Sequence, residues 1–253
     1  MKIGIRGDCC SHYLVSFCQE FFTSQREVHH DAKSRSDMYL QKDIHPIELY
    51  KKDIDPLDSE YYSSQFNRTV EQQEELDLII FDTYADIALP TYSIDGQVLW
   101  VNPKLVDYAK VALDSSDSSK KALRSERLPS VNEVFESQVN LFTMFGEKFP
   151  RTPILYLPHP LTYAPSKLKT TRSREINFLG ERLKSLLSNI YIGSVLPHEV
   201  ISAGGSDWHY APSTYRKMLS NALSSGLSEY FTGELSQIHR EWHTSEGWKY
   251  ELR

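Results

Sequence analysis

Two clusters of side chains in this chain could do chemistry together. One is Gly7-Asp8-Cys9-Cys10-Ser11-His12 near the amino terminus, and the other is Ser206-Asp207-Trp208-His209 towards the carboxyl terminus. A nucleophile needs a base within hydrogen-bond reach and a third group to orient that base. Cys9 or Ser11, with His209 and Asp207, supply those three residue types. Cys9 follows Gly7-Asp8 where a helix is expected to begin. Unpaired N–H groups and the helix dipole favour a thiolate and steady an oxyanion there, although Asp8 partly opposes this. Ser11 is the competing nucleophile and lies within the first helical turn. Gly7, Asp8 and Cys10 complete the turn that would surround an oxyanion. A purely structural reading makes Cys9 and Cys10 small buried residues and Ser11 a helix cap. His209 is harder to read that way, because Gly204-Gly205-Ser206-Asp207 around it is turn-forming and polar.

The elements that must position these groups follow from periodicity. Lys2 to Arg6 reads as a short buried strand running out at Gly7. Leu14, Phe17, Cys18 and Phe21 then recur at helical spacing. Glu27 to Asp58 reads as polar and irregular, with short strands at Met38-Tyr39-Leu40 and Ile47 to Tyr50. A helix is predicted from Asp58 to Leu76, with Tyr62, Phe66 and Val70 on one face. Leu78-Ile79-Ile80-Phe81 lacks alternation, as a strand covered on both faces does, and ends in Asp82-Thr83-Tyr84-Ala85-Asp86.

Asp95-Gly96 between Thr91–Ile94 and Gln97–Val101 is a two-residue hairpin signal, so an inserted hairpin is expected at about 90–101. Asp114 to Arg127 reads as an exposed loop, and Ser130 to Phe145 as a helix with Val131, Val134, Phe135, Phe142 and Phe145 inward. Pro153 to Leu157 is the next strand, closed by Pro158-His159-Pro160. Lys167 to Arg174 is basic and reads as solvated surface, with a phosphate or acidic glycan as its alternative partner. Ile176, Leu179, Leu183, Leu186, Leu187 and Ile190 form a helical stripe. His198 to Ala203 reads as a last strand. Pro212 opens a helix with Tyr215, Met218, Leu219, Ala222 and Leu223 on one side, and a partly helical extension follows at about 228–253.

Strands alternating with helices imply a three-layer α/β/α fold with a mainly parallel sheet, here as a single domain over 1–253. Ligands in such sheets bind beyond the carboxyl ends of the strands. The clusters Asp8 to His12, Asp82 to Asp86 and Ser206 to His209 each fall at such an end, and can converge on one cleft.

Composition limits the partners. With net charge −6, 40% hydrophobic and 25% charged residues, the chain is mildly acidic and carries no footprint for nucleic acid or an anionic membrane. The first residues hold no apolar run of signal-peptide or membrane-span length. Three cysteines, two of them adjacent, make a poor disulfide framework, so a cytoplasmic protein is expected. His239 and His243 stand four apart, but Glu241 is misplaced for a His-Glu-x-x-His site. His29-His30-Asp31 is weaker still, so no metal is expected.

The opening Gly7-Asp8-Cys9-Cys10-Ser11 resembles block I of the SGNH (GDSL-like) hydrolases, where Gly-Asp-Ser carries the nucleophilic serine. It is more similar to an uncharacterised bacterial branch of that superfamily, common near polysaccharide loci, that opens Gly-Ser-Cys-x-Ser-Arg-Asp. Ser64-Gln65-Phe66-Asn67-Arg68, Asp82 at a strand end, and His209-Tyr210 followed by Tyr215 resemble the same branch. The resemblance implies a three-layer α/β/α fold and esterase or O-acyltransferase chemistry on an acyl ester of a carbohydrate or related small metabolite. Cys9 or Ser11 would attack, His209 would be base and then acid, and Asp207 would orient it. Arg68 and Asp82 would join the substrate-binding set. Hydrolysis requires no cofactor, while transfer requires an acyl donor such as acetyl-CoA. The chain departs from the family pattern in three places. Asp-x-x-His is replaced by Asp207-Trp208-His209, Ala85-Asp86-Ile87 stands where Asp-Glu-Arg is usual, and no Gly-x-Asn-Asp block is present. The competing expectation is therefore a non-catalytic glycan-binding or polysaccharide-assembly protein that keeps the fold without a complete triad.

Overall fold

The computed structural model describes residues 2–7, 9–18, 21–22, 27–32, 36–37, 76–90, 92–94, 97–99, 124–125, 127–159, 167–201 and 210–231. For residue 9 and for 27–32, 92–94, 97–99, 124–125 and 167–170 it describes the backbone alone. Eight strands are present among them: β1 (Lys2–Gly7), β2 (Glu27–Ala32), β3 (Leu78–Asp82), β4 (Tyr92–Ile94), β5 (Gln97–Leu99), β6 (Arg124–Ser125), β7 (Ile154–Leu157) and β8 (Ile190–Ile192). The helices are α1 (Cys9–Phe17), α2 (Tyr84–Ala88), α3 (Val131–Lys148), α4 (Lys167–Leu186) and α5 (Pro212–Ser224).

Five strands form one sheet in the order β2-β1-β3-β7-β8, with every pair parallel. Successive side chains of a strand point to opposite faces, and the alternation here sorts the sheet into two cores. Ile3, Ile5, Leu78, Ile80, Leu155 and Leu157 pack with Leu14 and Cys18 of the α1 segment and with Tyr215, Met218 and Leu219 of α5. Ile79, Phe81, Ile154, Tyr156 and Ile190 pack with Leu141, Phe142 and Phe145 of α3 and Leu183 of α4. Burying one such side chain contributes about 1.5–3 kcal/mol. Both faces of the sheet are therefore covered, and the architecture is three-layer α/β/α.

The helix starts follow local rules. Ser130 caps α3 in a reciprocal box: its hydroxyl accepts from the Glu133 N–H at 3.2 Å, and the Glu133 carboxylate accepts from the Ser130 N–H at 2.7 Å. Pro212 occupies the first turn of α5, where its missing N–H removes no bond. The hairpin is present as expected, with Ile94 paired to Gln97 across a two-residue connection. Its small antiparallel sheet gains a third strand, because β6 pairs with β4.

A buried polar network braces the α3/α4 face. The Asp86 carboxylate accepts from the Ser36 N–H at 2.8 Å, the Ser36 hydroxyl at 3.1 Å and Gln138 Nε2 at 2.7 Å. Burial raises the Asp86 pKa from 3.8 to about 6, while bonds from Gln138 and Ser36 pull the other way and the nearby Asp37 charge adds to the rise. Arg172 is buried, and its guanidinium donates to the carbonyls of Ile87 at 2.9 Å, Pro129 at 2.5 Å and Asp86 at 2.7 Å. Two of those carbonyls lie in the last turn of α2, where intrahelical donors run out.

Five expectations are corrected. Glu27 to Ala32 is not irregular but a strand parallel to β1, hidden because a polar edge strand carries no alternating hydrophobic signal. Of the strand expected over His198 to Ala203, the described residues 198–201 form none: Pro197–Glu199 is a 3-10 turn, held by the Glu199 carboxylate on the Leu196 N–H at 2.9 Å. Among the described residues the last sheet strand is β8, so Ile190 leaves the helical stripe, and Leu186 is 61% exposed. Arg124–Ser125 is a strand rather than part of a loop. Arg172, inside the basic run, faces the interior rather than solvent. The strands expected at 38–40 and 47–50 lie outside the described residues, as does the helix expected over 58–76 except for Leu76, which is not helical.

Candidate functional site

In sequence order the sheet strands run 2-1-3-4-5, so the chain reverses its direction of progress between β1 and β3. In sheets of this kind ligands bind in the crevice beyond the carboxyl ends at that switch point. Gly7 and the start of α1 stand on one side of it, and Asp82 on the other. The side-chain alternation puts Asp82 on the face covered by α1 and α5, and three contacts fix its position.

Asp82 is buried and ties β3 to the first turn of α1. Its Oδ2 accepts from the Ser11 N–H at 3.0 Å and from Ser11 Oγ at 2.6 Å, and its Oδ1 accepts from the Tyr84 N–H at 3.1 Å. The Ser11 N–H is one of the four helix-start donors that no intrahelical carbonyl reaches, so a neighbouring strand caps α1. Gly7 makes the approach possible: a Cβ there would lie 2.6 Å from Asp82 Cγ and Oδ2. Ser11 is fully buried, with its hydroxyl proton directed to the carboxylate. A carboxylate at the amino end of α1 also opposes ionisation of a thiol there, so an activated cysteine in this turn needs an imidazole beside it.

A second buried group at this end of the sheet is His159, two residues beyond β7. Its N–H donates to Thr83 Oγ1 and to Asn177 Oδ1, each at 2.9 Å, and its carbonyl accepts from Asn177 Nδ2 at 2.6 Å. Thr83 Oγ1 in turn donates to Asn177 Oδ1 at 2.9 Å. Residues at the end of β3 and on α4 thus hold the histidine backbone between Pro158 and Pro160. The imidazole is packed against the Tyr84 ring at 5.4 Å and the Tyr210 ring at 5.6 Å between centroids. The Tyr210 hydroxyl lies 3.1 Å from Nε2 and 3.3 Å from Nδ1. Tyr210 packs on Tyr215 of α5, which packs on Tyr13 of α1, with centroids 6.0 and 6.2 Å apart.

Of the residues singled out from sequence, Gly7, Ser11 and Asp82 come together at one strand–helix turn. Cys9 is the first residue of α1, and Cys10 turns into the hydrophobic core. Asp8, Arg68, Asp207 and His209 lie outside the described residues, as do His239 and His243; His29-His30-Asp31 falls within β2. Tyr210, next in sequence to His209, is buried on His159. His159 was not singled out. Its signal was a histidine between two prolines at a strand's carboxyl end, which reads equally well as a loop terminator. Among the described residues no group of three or more histidines, cysteines or carboxylates is arranged to hold a metal ion. No helix among them is long and apolar enough to cross a membrane.

No family model and no curated protein matches the chain. Among solved structures, it is similar to a member of the lipolytic protein G-D-S-L family from Veillonella parvula DSM 2008, at 12% identity and a TM-score of 0.46, covering 89% of this chain and 98% of that one. It is also similar to an acetyl xylan esterase from the rumen bacterium Butyrivibrio proteoclasticus, at 11% identity and a TM-score of 0.41. That alignment covers 98% of this chain and spans 64% of the esterase.

Proposed function

We propose that the chain is an SGNH-like enzyme that hydrolyses or transfers the acyl group of an ester of a carbohydrate or related small metabolite, through a thioester on Cys9. The observation that carries this reading is the junction at the switch point: β1 ends, α1 opens on Cys9, and Asp82 clamps the turn through Ser11. The buried Ser11 serves as the clamp in this scheme, which leaves Cys9 as the attacking group.

His209 takes the thiol proton as the sulfur attacks the acyl carbonyl carbon, and Asp207 orients the imidazole. The oxyanion is steadied by backbone N–H groups at the amino end of α1. Collapse expels the alcohol, which leaves with the proton from His209, and the acyl group stays on sulfur. Water, or a sugar hydroxyl, then gives its proton to His209 and attacks the thioester. The sulfur leaves and recovers that proton. Transfer in the synthetic direction would load Cys9 from a donor such as acetyl-CoA.

Turnover of p-nitrophenyl acetate and of an acetylated monosaccharide tests the scheme. Cys9→Ala and His209→Ala should abolish turnover, and Ser11→Ala should lower stability while keeping it. Wild-type turnover in Cys9→Ala would refute the nucleophile. Glycan binding without turnover in the wild type would favour the non-catalytic role.

A further inference from the structure

We infer that Asp86, Gln138 and Tyr156 form a proton-operated latch: the neutral Asp86 carboxyl holds the 3-10 turn at 36–37 against α2, and loss of its proton releases that turn. The inference goes beyond the proposed acyl chemistry and stands whether or not Cys9 carries an acyl group.

The two carboxyl oxygens of Asp86 have separate duties. Oδ1 accepts both bonds from Ser36, from its N–H at 2.8 Å and from its hydroxyl at 3.1 Å, whereas Oδ2 faces Gln138 Nε2 at 2.7 Å. A proton on Oδ2 therefore removes no bond to Ser36. It requires Gln138 to present its other amide atom, and a half-turn of the amide does this in the same volume. Asp86 Oδ2–H then donates to Gln138 Oε1, Gln138 Nε2 donates to the Tyr156 hydroxyl, and that hydroxyl donates to the Ile176 carbonyl. With the carboxylate ionised, Gln138 keeps Nε2 on Oδ2, and the single Tyr156 proton is contested by Gln138 Oε1 and the Ile176 carbonyl, each 3.2 Å away. The neutral chain of bonds runs head to tail, and the ionised one does not.

Ser36, Asp86, Gln138 and Tyr156 are all buried, so an ionised carboxylate there meets no water until the turn moves. The groups around it do not offset that cost. Asp37 in the turn adds a like charge, and α3 presents the neutral Gln138. Arg172 of α4 directs its guanidinium at the main-chain carbonyls of Ile87, Pro129 and Asp86. Tyr156 of β7 stays neutral, because burial first and the Asp86 charge second push its pKa well above 10. Burial accordingly raises the Asp86 pKa to about 6 in the closed turn, against the bonds from Gln138 and Ser36, and opening to water returns it towards 3.8. The closed value is the higher one. The closed turn is therefore favoured fully below about 3.8 and loses that advantage as pH rises through 6, the proton passing to water. The opening equilibrium should rise on the order of a hundredfold across that window.

Hydrogen exchange at the Ser36 amide, located by fragmentation mass spectrometry and corrected for intrinsic base catalysis, tests the latch. Its protection should fall on the order of a hundredfold from about pH 4 to about pH 8. At each pH it should lie below that of the β3 amides, which only unfolding exposes. Asp86→Asn puts an amide NH2 where the acid proton sits, with Gln138 Oε1 to accept it, and protection at Ser36 should then no longer depend on pH. Carboxyl 13C titration of the wild type is a second readout that needs no variant, with a midpoint expected near 6. A midpoint near the ordinary ~3.9 overturns the inference. So does protection at Ser36 equal to that of β3, because only unfolding would then release the turn. Protection that ignores pH in the wild type, or follows it equally in Asp86→Asn, overturns it as well.

Discussion

Replacing Ser11 by alanine and Asp82 by asparagine, singly and together, separates holding from attacking at the β1–α1 turn. The Ser11 hydroxyl donates to Asp82 Oδ2 at 2.6 Å in a site closed to solvent, and a buried bond to a carboxylate contributes about 1.5–3 kcal/mol. Ser11→Ala should lose about that much. Asp82→Asn keeps one acceptor and replaces the other oxygen with an amide NH2. That NH2 must face either the Tyr84 N–H or the two Ser11 donors. Turned towards Tyr84 the NH2 meets that N–H, and turned towards Ser11 it meets the Ser11 N–H, so in either orientation a buried donor faces another donor and the loss should be larger, about 2–4 kcal/mol. The two changes share one bond, so the double variant should fall short of additivity by about 1–2 kcal/mol. Urea unfolding at neutral pH, with the denaturant slope checked for constancy, measures all four corners. Additivity within about 0.5 kcal/mol would refute the clamp. Ester turnover adds a second axis: a folded Ser11→Ala protein without any turnover, beside an active Cys9→Ala protein, would make Ser11 the nucleophile.

The close approach of Gly7 predicts a contrast between two glycine substitutions. Gly7→Ala drives a Cβ to within 2.6 Å of the Asp82 carboxyl group. It should cost about 1–3 kcal/mol by overpacking, together with much of the Ser11 bond. Gly146→Ala in α3 meets nothing within 4 Å and should stabilise by about 0.5–1 kcal/mol through helix propensity. Equal melting temperatures for the pair would remove the argument. Asp86 predicts a pH dependence. Its folded pKa is raised from 3.8 to about 6, so its contribution to stability is complete below about 3.8 and is lost as pH climbs through 6. The rise corresponds to roughly 3 kcal/mol. The stability of the wild type relative to Asp86→Asn should therefore fall by about that amount between about pH 4 and pH 7. Parallel urea midpoints across that range would contradict it.

The parts of the fold legible in the sequence were those whose burial leaves a periodic trace. Leu78 to Phe81 has no polar side because both faces of β3 are covered, and Asp95-Gly96 marks a connection that ordinary residues cannot make easily. Ser130 with Glu133, and Pro212 with the stripe from Tyr215 to Leu223, mark helix starts by their own chemistry. The illegible parts depended on partners far along the chain. Glu27–Ala32 becomes a strand through main-chain bonds to β1, which side-chain type does not record. Val200-Ile201 after Pro197 imitates a strand, while the three-residue β8 was absorbed into the helical spacing of its neighbours. At the site, Cys9 and Asp82 were visible as polar residues at strand ends. That Asp82 would bond Ser11, or His159 would meet Tyr210, was not visible, because those pairs are 71 and 51 positions apart.

The central claim is that sulfur on Cys9 carries the acyl group, and trapping that species tests it most directly. The protein is mixed briefly with p-nitrophenyl acetate, quenched in acid and analysed by intact mass and fragmentation. The account predicts one added acetyl group, placed on Cys9, released by neutral hydroxylamine as a thioester is, and absent from Cys9→Ala. An acetyl group on Ser11, or burst kinetics and an acetyl adduct undiminished in Cys9→Ala, would contradict it.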